Sequence, residues 1–281
     1  MAVTFSPREP KVKEPRGEMF ANSLKEKIRK GQPAVGTWIY FTDLFAVETM
    51  AQTGFDWWLI DTEHAPIGPE GLLRILSVAK SSATPSIVRL RNNQPEYFKT
   101  ALDLGASGVM VPMINSAADA RRAVDCCRYP PLGSRGFAPI RASNYFRNLA
   151  EYTQSANQEV MLIAQIESIQ AVQELEAIMA VPGIDAIFIG PGDLSSSMNL
   201  VGQFKHPRVE EVIVQIMAKA RAAGMPTGIM AFAPEDLFAY AEGGAILLIV
   251  GGDLVFMTRG ATEALERTRA LLGTLKESKG N

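Results

Sequence analysis

The stretch Ala186-Ile187-Phe188-Ile189-Gly190-Pro191-Gly192-Asp193-Leu194-Ser195 sets four apolar residues against two glycines, a proline and one aspartate. A short apolar run bounded by Gly and Pro reads as a buried strand, and Pro-Gly-Asp ahead of a new periodic segment reads as a helix start. The unit is strand, tight turn, helix. It recurs near the C-terminus, where Ile246–Val250 is followed by Gly251-Gly252-Asp253 and a helical pattern from about Leu254 to Leu275. Working outward, the same reading places strands at Ala34–Tyr40, Asp56–Ile60, Ser86–Leu90, Gly108–Val111, Met161–Ile166 and Thr227–Met230, eight in all. Near-continuous apolar strands suit a parallel sheet whose outer face is covered by helices.

Helical patterns fill the gaps. One runs from Asp43 to Thr53 with Gly54 as its stop, and another from Pro69 to Lys80. Ser116 caps a third that ends before Pro130-Pro131. The segment from Ser168 to Val181 puts Ile169, Val172, Leu175, Ile178 and Met179 on one face. Pro207 opens a helix that ends at Gly224. Eight such alternations predict an α/β fold, a (β/α)8 TIM barrel, with an extra helix near Leu24–Arg29 ahead of the first strand. A doubly wound open sheet is the competitor. It is disfavoured because no GxGxxG follows the first strand and no GxxxxGK[ST] occurs. Residues 1–19, with three prolines and no apolar run, read as an irregular arm, and residues 20–281 as one barrel domain. Arg128–Gln158 is a long connection of the kind that serves function or assembly.

Bulk composition narrows the function classes. At 47% hydrophobic, the 281-residue chain can bury a large core. Lys+Arg number 28 against 30 Asp+Glu, so neither a nucleic-acid nor a membrane partner is indicated. No uncharged apolar run approaches the roughly 18 residues of a membrane span. The two cysteines, Cys126 and Cys127, are adjacent, which suits neither a disulfide nor a zinc site and is consistent with a reducing, cytoplasmic setting.

In such barrels the residues at the C-terminal ends of strands face the active site. The expected ends here carry Asp61, Glu63 and His64; Arg89 and Arg91; Gln165 and Glu167; and Asp193 and Asp253. Glu167 and Asp193 follow neighbouring strands, and two carboxylates completed by water and a chelating substrate suit magnesium or manganese. The alternative is a pair of helix caps, for which Glu is a poor residue type. His64 beside two acids can serve as a base near neutral pH, whereas His206 before Pro207 reads as a loop residue without a task. Arg89 inside an apolar strand demands an anionic partner. Asp103 falls at the end of a helix, on the opposite face, and reads equally well as structural. Asp253 lacks a second carboxylate and is expected to cap the final helix. Gly190 and Gly192 allow close backbone approach, and the free N–H groups of the helix start can hold a carboxylate.

The ordered set GTW, GFDWWLIDTEHAP, IVRL, ALDLGASGVMVPM, RYPPLGSRG, QIES and GIDAIFIGPGDLS resembles the metal-dependent aldolases that form a pyruvate enolate, namely hydroxyoxoheptanedioate and dehydrodeoxyglucarate aldolases and their relative macrophomate synthase. The resemblance spans Phe20 to Leu272. It implies a lyase that reversibly cleaves a 4-hydroxy-2-oxo acid to pyruvate and an aldehyde. The alternative is an oxaloacetate decarboxylase, or a related carbon–carbon lyase, using the same enolate site. It further implies Glu167 and Asp193 as ligands of a divalent ion (Mg2+ or Mn2+, with Co2+ as a further candidate). Arg89 is then the group that steadies the enolate, His64 the acid–base group acting through water, and Asp61 and Asp103 its associated carboxylates. Gln165, Gly192, Asp193 and Trp38 would contact substrate. The resemblance also implies a homo-oligomer, a trimer or hexamer, in which a neighbour completes each site. Gly192, Asn199 and Phe232 depart from the family pattern, on the side expected to receive the aldehyde.

Overall fold

A computed structural model describes residues 20–277. Its eight strands are β1 (Ala34–Ile39), β2 (Trp57–Asp61), β3 (Ser86–Arg89), β4 (Gly108–Val111), β5 (Met161–Ile166), β6 (Ala186–Ile189), β7 (Thr227–Ala231) and β8 (Leu247–Gly252). All pair in parallel and in sequence order, and β8 returns to β1 to close the barrel. Around them lie α1 (Ser23–Arg29), α2 (Leu44–Ala51), α3 (Pro69–Ser81), α4 (Pro95–Asp103), α5 (Ala117–Cys127), α6 (Leu149–Glu159), α7 (Ile169–Gln173), α8 (Leu175–Met179), α9 (Pro191–Ser197), α10 (Pro207–Ala222), α11 (Pro234–Glu242) and α12 (Asp253–Glu277). The (β/α)8 barrel with its extra leading helix is the architecture expected. The expected arm over residues 1–19 lies outside the described residues.

Alternation along each strand sorts the core into two layers. Trp57, Leu59, Ile87, Met110, Ile163, Phe188 and Ile249 fill the barrel interior, while Trp58, Ile60, Val88, Val109 and Leu162 meet the helices outside. Gly36 is needed here, because a Cβ would stand 2.6 Å from the Trp57 indole. The leading helix closes the bottom. Leu24 and Ile28 join the interior layer, and Lys25 is buried against Asp185 at 2.8 Å and the Val160 carbonyl at 3.0 Å. Burial pulls the Lys25 pKa below the ordinary lysine value, with the Asp185 carboxylate opposing the shift. Asn22 caps α1 and also donates to the carbonyls of Ser107 and Glu159, tying the plug to β4 and β5.

Several local expectations meet the structure closely. Asp43 and Ser116 cap α2 and α5 through their side chains, and Pro207 opens α10. Cys126 and Cys127 are both free and buried. The apolar face from Ser168 to Val181 is buried as read, but the backbone breaks at Glu174 into α7 and α8. The long connection holds α6, so its irregular part ends at Asn148. Asp253 requires a correction. The final helix begins at Asp253 itself, and its carboxylate accepts backbone N–H from Tyr40 and Phe41, at 3.0 to 3.1 Å, as well as from Leu254. It staples the end of β1 to the end of β8 as well as bonding its own helix.

Candidate active site

Asp61 and Arg89 are the last residues of β2 and β3 and share one rung of the ladder. That register alone brings the two side chains together. Arg89 donates Nε to Asp61 Oδ1 at 3.1 Å and Nη2 to Oδ2 at 2.7 Å, a bidentate grip in which the carboxylate is wholly buried. The guanidinium also lies 4.2 Å over the Trp38 ring, and Trp38 stacks on Tyr40 at 5.9 Å. Burial opposes its charge, yet the Asp61 hydrogen bond and the neighbouring carboxylates Glu63 and Glu167 hold its pKa above the usual arginine value. Burial, then the Asp61 charge, pushes the Tyr40 phenol up to about 12.

Asp61 does not orient the His64 imidazole. Its Oδ1 instead accepts the backbone N–H of Glu63 and of His64, fixing the turn after β2. The carboxylate beside the exposed His64 ring is that of Glu63, 3.7 Å from Nε2. Glu63 also stands 3.3 Å from Arg89 Nε. It therefore links His64, beside which the sequence placed it, to Arg89, beside which the sequence did not. Its signal was a second acid within four residues of a strand end, next to a histidine.

Across the barrel mouth, Glu167 follows β5 and is buried. Its Oε1 accepts the Met113 N–H at 2.7 Å, and Gln165 Nε2 donates to Oε2. Met113 sits at φ 52, a left-handed conformation costly for a residue with a side chain, and its N–H is committed to Glu167. Gly190 is compelled, since a Cβ there would stand 2.8 Å from Glu167 Oε2. Burial raises Glu167 to about 7 and Glu63 to about 7, and the Asp193 charge adds to both shifts. Glu167 and Glu63 are thus poorly solvated acids, and the exposed Asp193 adds its negative charge nearby. Such a set calls for a cation.

The donor set fits a divalent ion held through few protein ligands. Among the described residues no three His, Cys, Asp or Glu side chains close around a point, which rules out an all-protein cage but not two carboxylates completed by water and substrate. Gln165 Oε1 is buried without a hydrogen-bond partner beside Glu167, an oxygen left free on the same side. In α9 the first intrahelical bond is Leu194 N–H to the Gly190 carbonyl, so the Gly192 and Asp193 N–H groups precede the ladder.

Other expected residues fall elsewhere. Asp103 ends α4 at the opposite face, paired with the buried Arg135 at 2.7 Å, and within one chain it does not join the cluster. Arg91 donates to the Thr62 carbonyl, and His206 caps α10 through Nδ1.

The HpcH/HpaI aldolase/citrate lyase family matches residues 35–259. The chain belongs to this family. It is 39% identical over 246 residues to a 4-hydroxy-2-oxo-heptane-1,7-dioate aldolase of Salmonella dublin, covering 87% of this chain and 93% of that one. It is 39% identical over 238 residues to a 2-dehydro-3,6-dideoxy-6-sulfogluconate aldolase of Pseudomonas putida, covering 85% and 93%. Among solved structures, an HpcH/HpaI family protein of Burkholderia cenocepacia superposes with a TM-score of 0.85 at 36% identity, over 89% of this chain and 100% of that one. As an HpcH/HpaI member the chain is an aldolase, a carbon–carbon lyase of a divalent-metal-dependent family. Among the described residues no helix is long and apolar enough to cross a membrane.

Proposed function

We propose that the chain reversibly cleaves a 4-hydroxy-2-oxo acid to pyruvate and an aldehyde, with Arg89 facing the enolate that forms on the pyruvate half. The observation that carries this reading is the Arg89 guanidinium, gripped by Asp61 and laid on Trp38, with Glu63 and the buried Glu167 as neighbouring carboxylates. A cation so rigidly held costs no reorganisation when negative charge develops in front of it. Glu167 and Asp193 would hold a magnesium or manganese ion, with Gln165 beside them, and the ion supplies Lewis-acid polarisation of the 2-oxo group. The N–H groups of Gly192 and Asp193 receive the substrate carboxylate. His64, steadied by Glu63, takes the proton of the 4-hydroxyl through water, and the C3–C4 pair passes to the 2-oxo acid half as the bond breaks. A proton then returns to C3.

The same geometry supports an assembly. From Met257 to Gly273 every residue of α12 is exposed, Leu265, Leu271 and Leu272 among them, and Asp103 stands at the far face. A trimer or hexamer would cover that helix and bring Asp103 to a neighbour's His64. Mixing two inactive variants, Arg89→Ala and Asp103→Ala, should then restore part of the activity in mixed oligomers.

The direct test of the reaction is exchange of the pyruvate methyl protons for deuterium with added Mn2+, followed by NMR. Arg89→Ala should abolish exchange while Mn2+ binding persists. Near-normal exchange in that variant would overturn the assignment.

A further inference from the structure

Phe204 and Phe232 stand on the barrel rim, in the loops that follow α9 and β7, and neither contributes to the buried core. Phe232 is the first residue past β7, whose Ile229 pairs with Ile189 of β6, four residues before Asp193. Phe204 lies in the loop that leaves α9, the helix whose first turn carries Asp193. The two rings meet at 6.3 Å with a 54° tilt, although Phe204 is 38% exposed and Phe232 43%. Next to Phe204, Lys205 reaches Asp236 at 2.8 Å and Glu210 at 3.2 Å. This clasp joins the loop after α9 to the start of α11 and holds both rings at the mouth.

The charges around the ring pair select against an anionic tail. The ammonium of Lys205 already meets two carboxylates, and Glu235 adds a third acid on the same turn. Arg259 approaches from the backbone side, donating to the Phe232 carbonyl at 3.4 Å. Two half-exposed rings held against each other at a tilt, on the rim that carries Asp193, form an apolar, quadrupolar surface that a flat apolar group can cover. We infer that Phe204 and Phe232 form the subsite for the substituent of the aldehyde, and that this substituent is aromatic or otherwise apolar and uncharged. The inference rests on the aldolase reading above and adds the class of the second substrate. In the synthetic direction C3 of the pyruvate enolate bonds to the aldehyde carbon. The carbonyl π pair moves onto its oxygen, which takes up a proton to replace the one lost from C3, and nothing is oxidised or reduced.

The experiment uses the full chain with Mn2+ and pyruvate, and compares benzaldehyde and phenylacetaldehyde with glyoxylate and succinic semialdehyde. The expected kcat/KM favours the aromatic pair by about tenfold or more, and Phe232→Ala and Phe204→Ala each lower that ratio by about tenfold. Phe232→Leu, which keeps an apolar side chain on the loop, should lower it by a smaller factor and guards against a variant lost to misfolding. Preference for the anionic aldehydes, or a ratio unmoved in every variant, overturns the inference. Pyruvate deuterium exchange by the unaltered enzyme separates the two readings. Its absence sinks the enolate site itself, whereas exchange without an aromatic preference sinks the aldehyde subsite alone.

Discussion

Gly190→Ala adds one methyl group at the position where the site is least able to yield. The Gly190 backbone, at φ −100 and ψ 89, is open to alanine, so the whole effect is steric. The new Cβ would stand 2.8 Å from Glu167 Oε2, 3.0 Å from Glu167 Cβ and 3.0 Å from Gln165 Nε2. A carboxylate on the surface would swing aside at little cost. Glu167 cannot, because it is 2% exposed, one oxygen is fixed by the Met113 N–H and the other by Gln165. Overpacking of this kind costs roughly 1–3 kcal/mol. With Glu167 as the proposed metal ligand, displacing its carboxylate by a few tenths of an ångström should weaken Mn2+ binding by roughly 10–100-fold, the range seen when groups supporting a ligand are altered. Gly192→Ala is the matched control, since a Cβ there meets nothing within 4 Å. It should leave Mn2+ affinity unchanged and stabilise the fold by roughly 0.4–1 kcal/mol through the unfolded chain. Titration calorimetry with Mn2+ and urea melts measure both quantities. If Gly190→Ala binds Mn2+ within threefold of the parent, Glu167 is not the ligand it is held to be.

Three further outcomes follow from the same contacts. Asp61→Asn removes the bidentate partner of the buried Arg89 charge and leaves it Glu63 at 3.3 Å, so stability should fall by up to about 3–5 kcal/mol in a urea melt. An unchanged midpoint would show that solvent reaches the guanidinium. His64→Gln alters an exposed ring, so it should lower aldol cleavage by about 100-fold or more while shifting stability by no more than about 0.5 kcal/mol. A cleavage rate within a few-fold of the parent would remove His64 from the reaction. Glu63 and Glu167 are both raised to about 7, so between about 4.5 and 7 the folded metal-free protein holds protons that the unfolded chain has released. Its stability should therefore fall as pH rises through that window, and added Mn2+ should flatten or reverse the slope. Metal-free melts that rise across the window would contradict the burial of these two acids.

The barrel was legible because its signal is repeated eight times, and each copy pairs an apolar run with turn residues whose geometry has few readings. Arg89 was legible because a guanidinium within an apolar run must find an anion. Which anion was not legible. The grip of Asp61 on Arg89 depends on the rung that β2 and β3 share, and register between strands separated by a whole helix leaves no local trace. Glu63 was legible beside His64 but not beside Arg89, because that contact arises from the turn after β2, which the Asp61 carboxylate shapes through the two backbone N–H groups it accepts. Asp253 was read as a helix cap because Gly-Gly-Asp before a helix is a capping pattern. Its bonds to Tyr40 and Phe41 exist only because β8 lies beside β1 in a closed sheet.

With Arg89 in its proposed role, the rung it shares with Asp61 makes catalysis a gauge of strand alignment. A chain that has regained its helices but mispaired one strand would show full far-ultraviolet ellipticity and no turnover, since a slip of one residue turns the two side chains to opposite faces. During refolding, recovered activity counts correctly closed barrels, and ellipticity counts helices. The lag between the two signals measures how long the sheet takes to find its register.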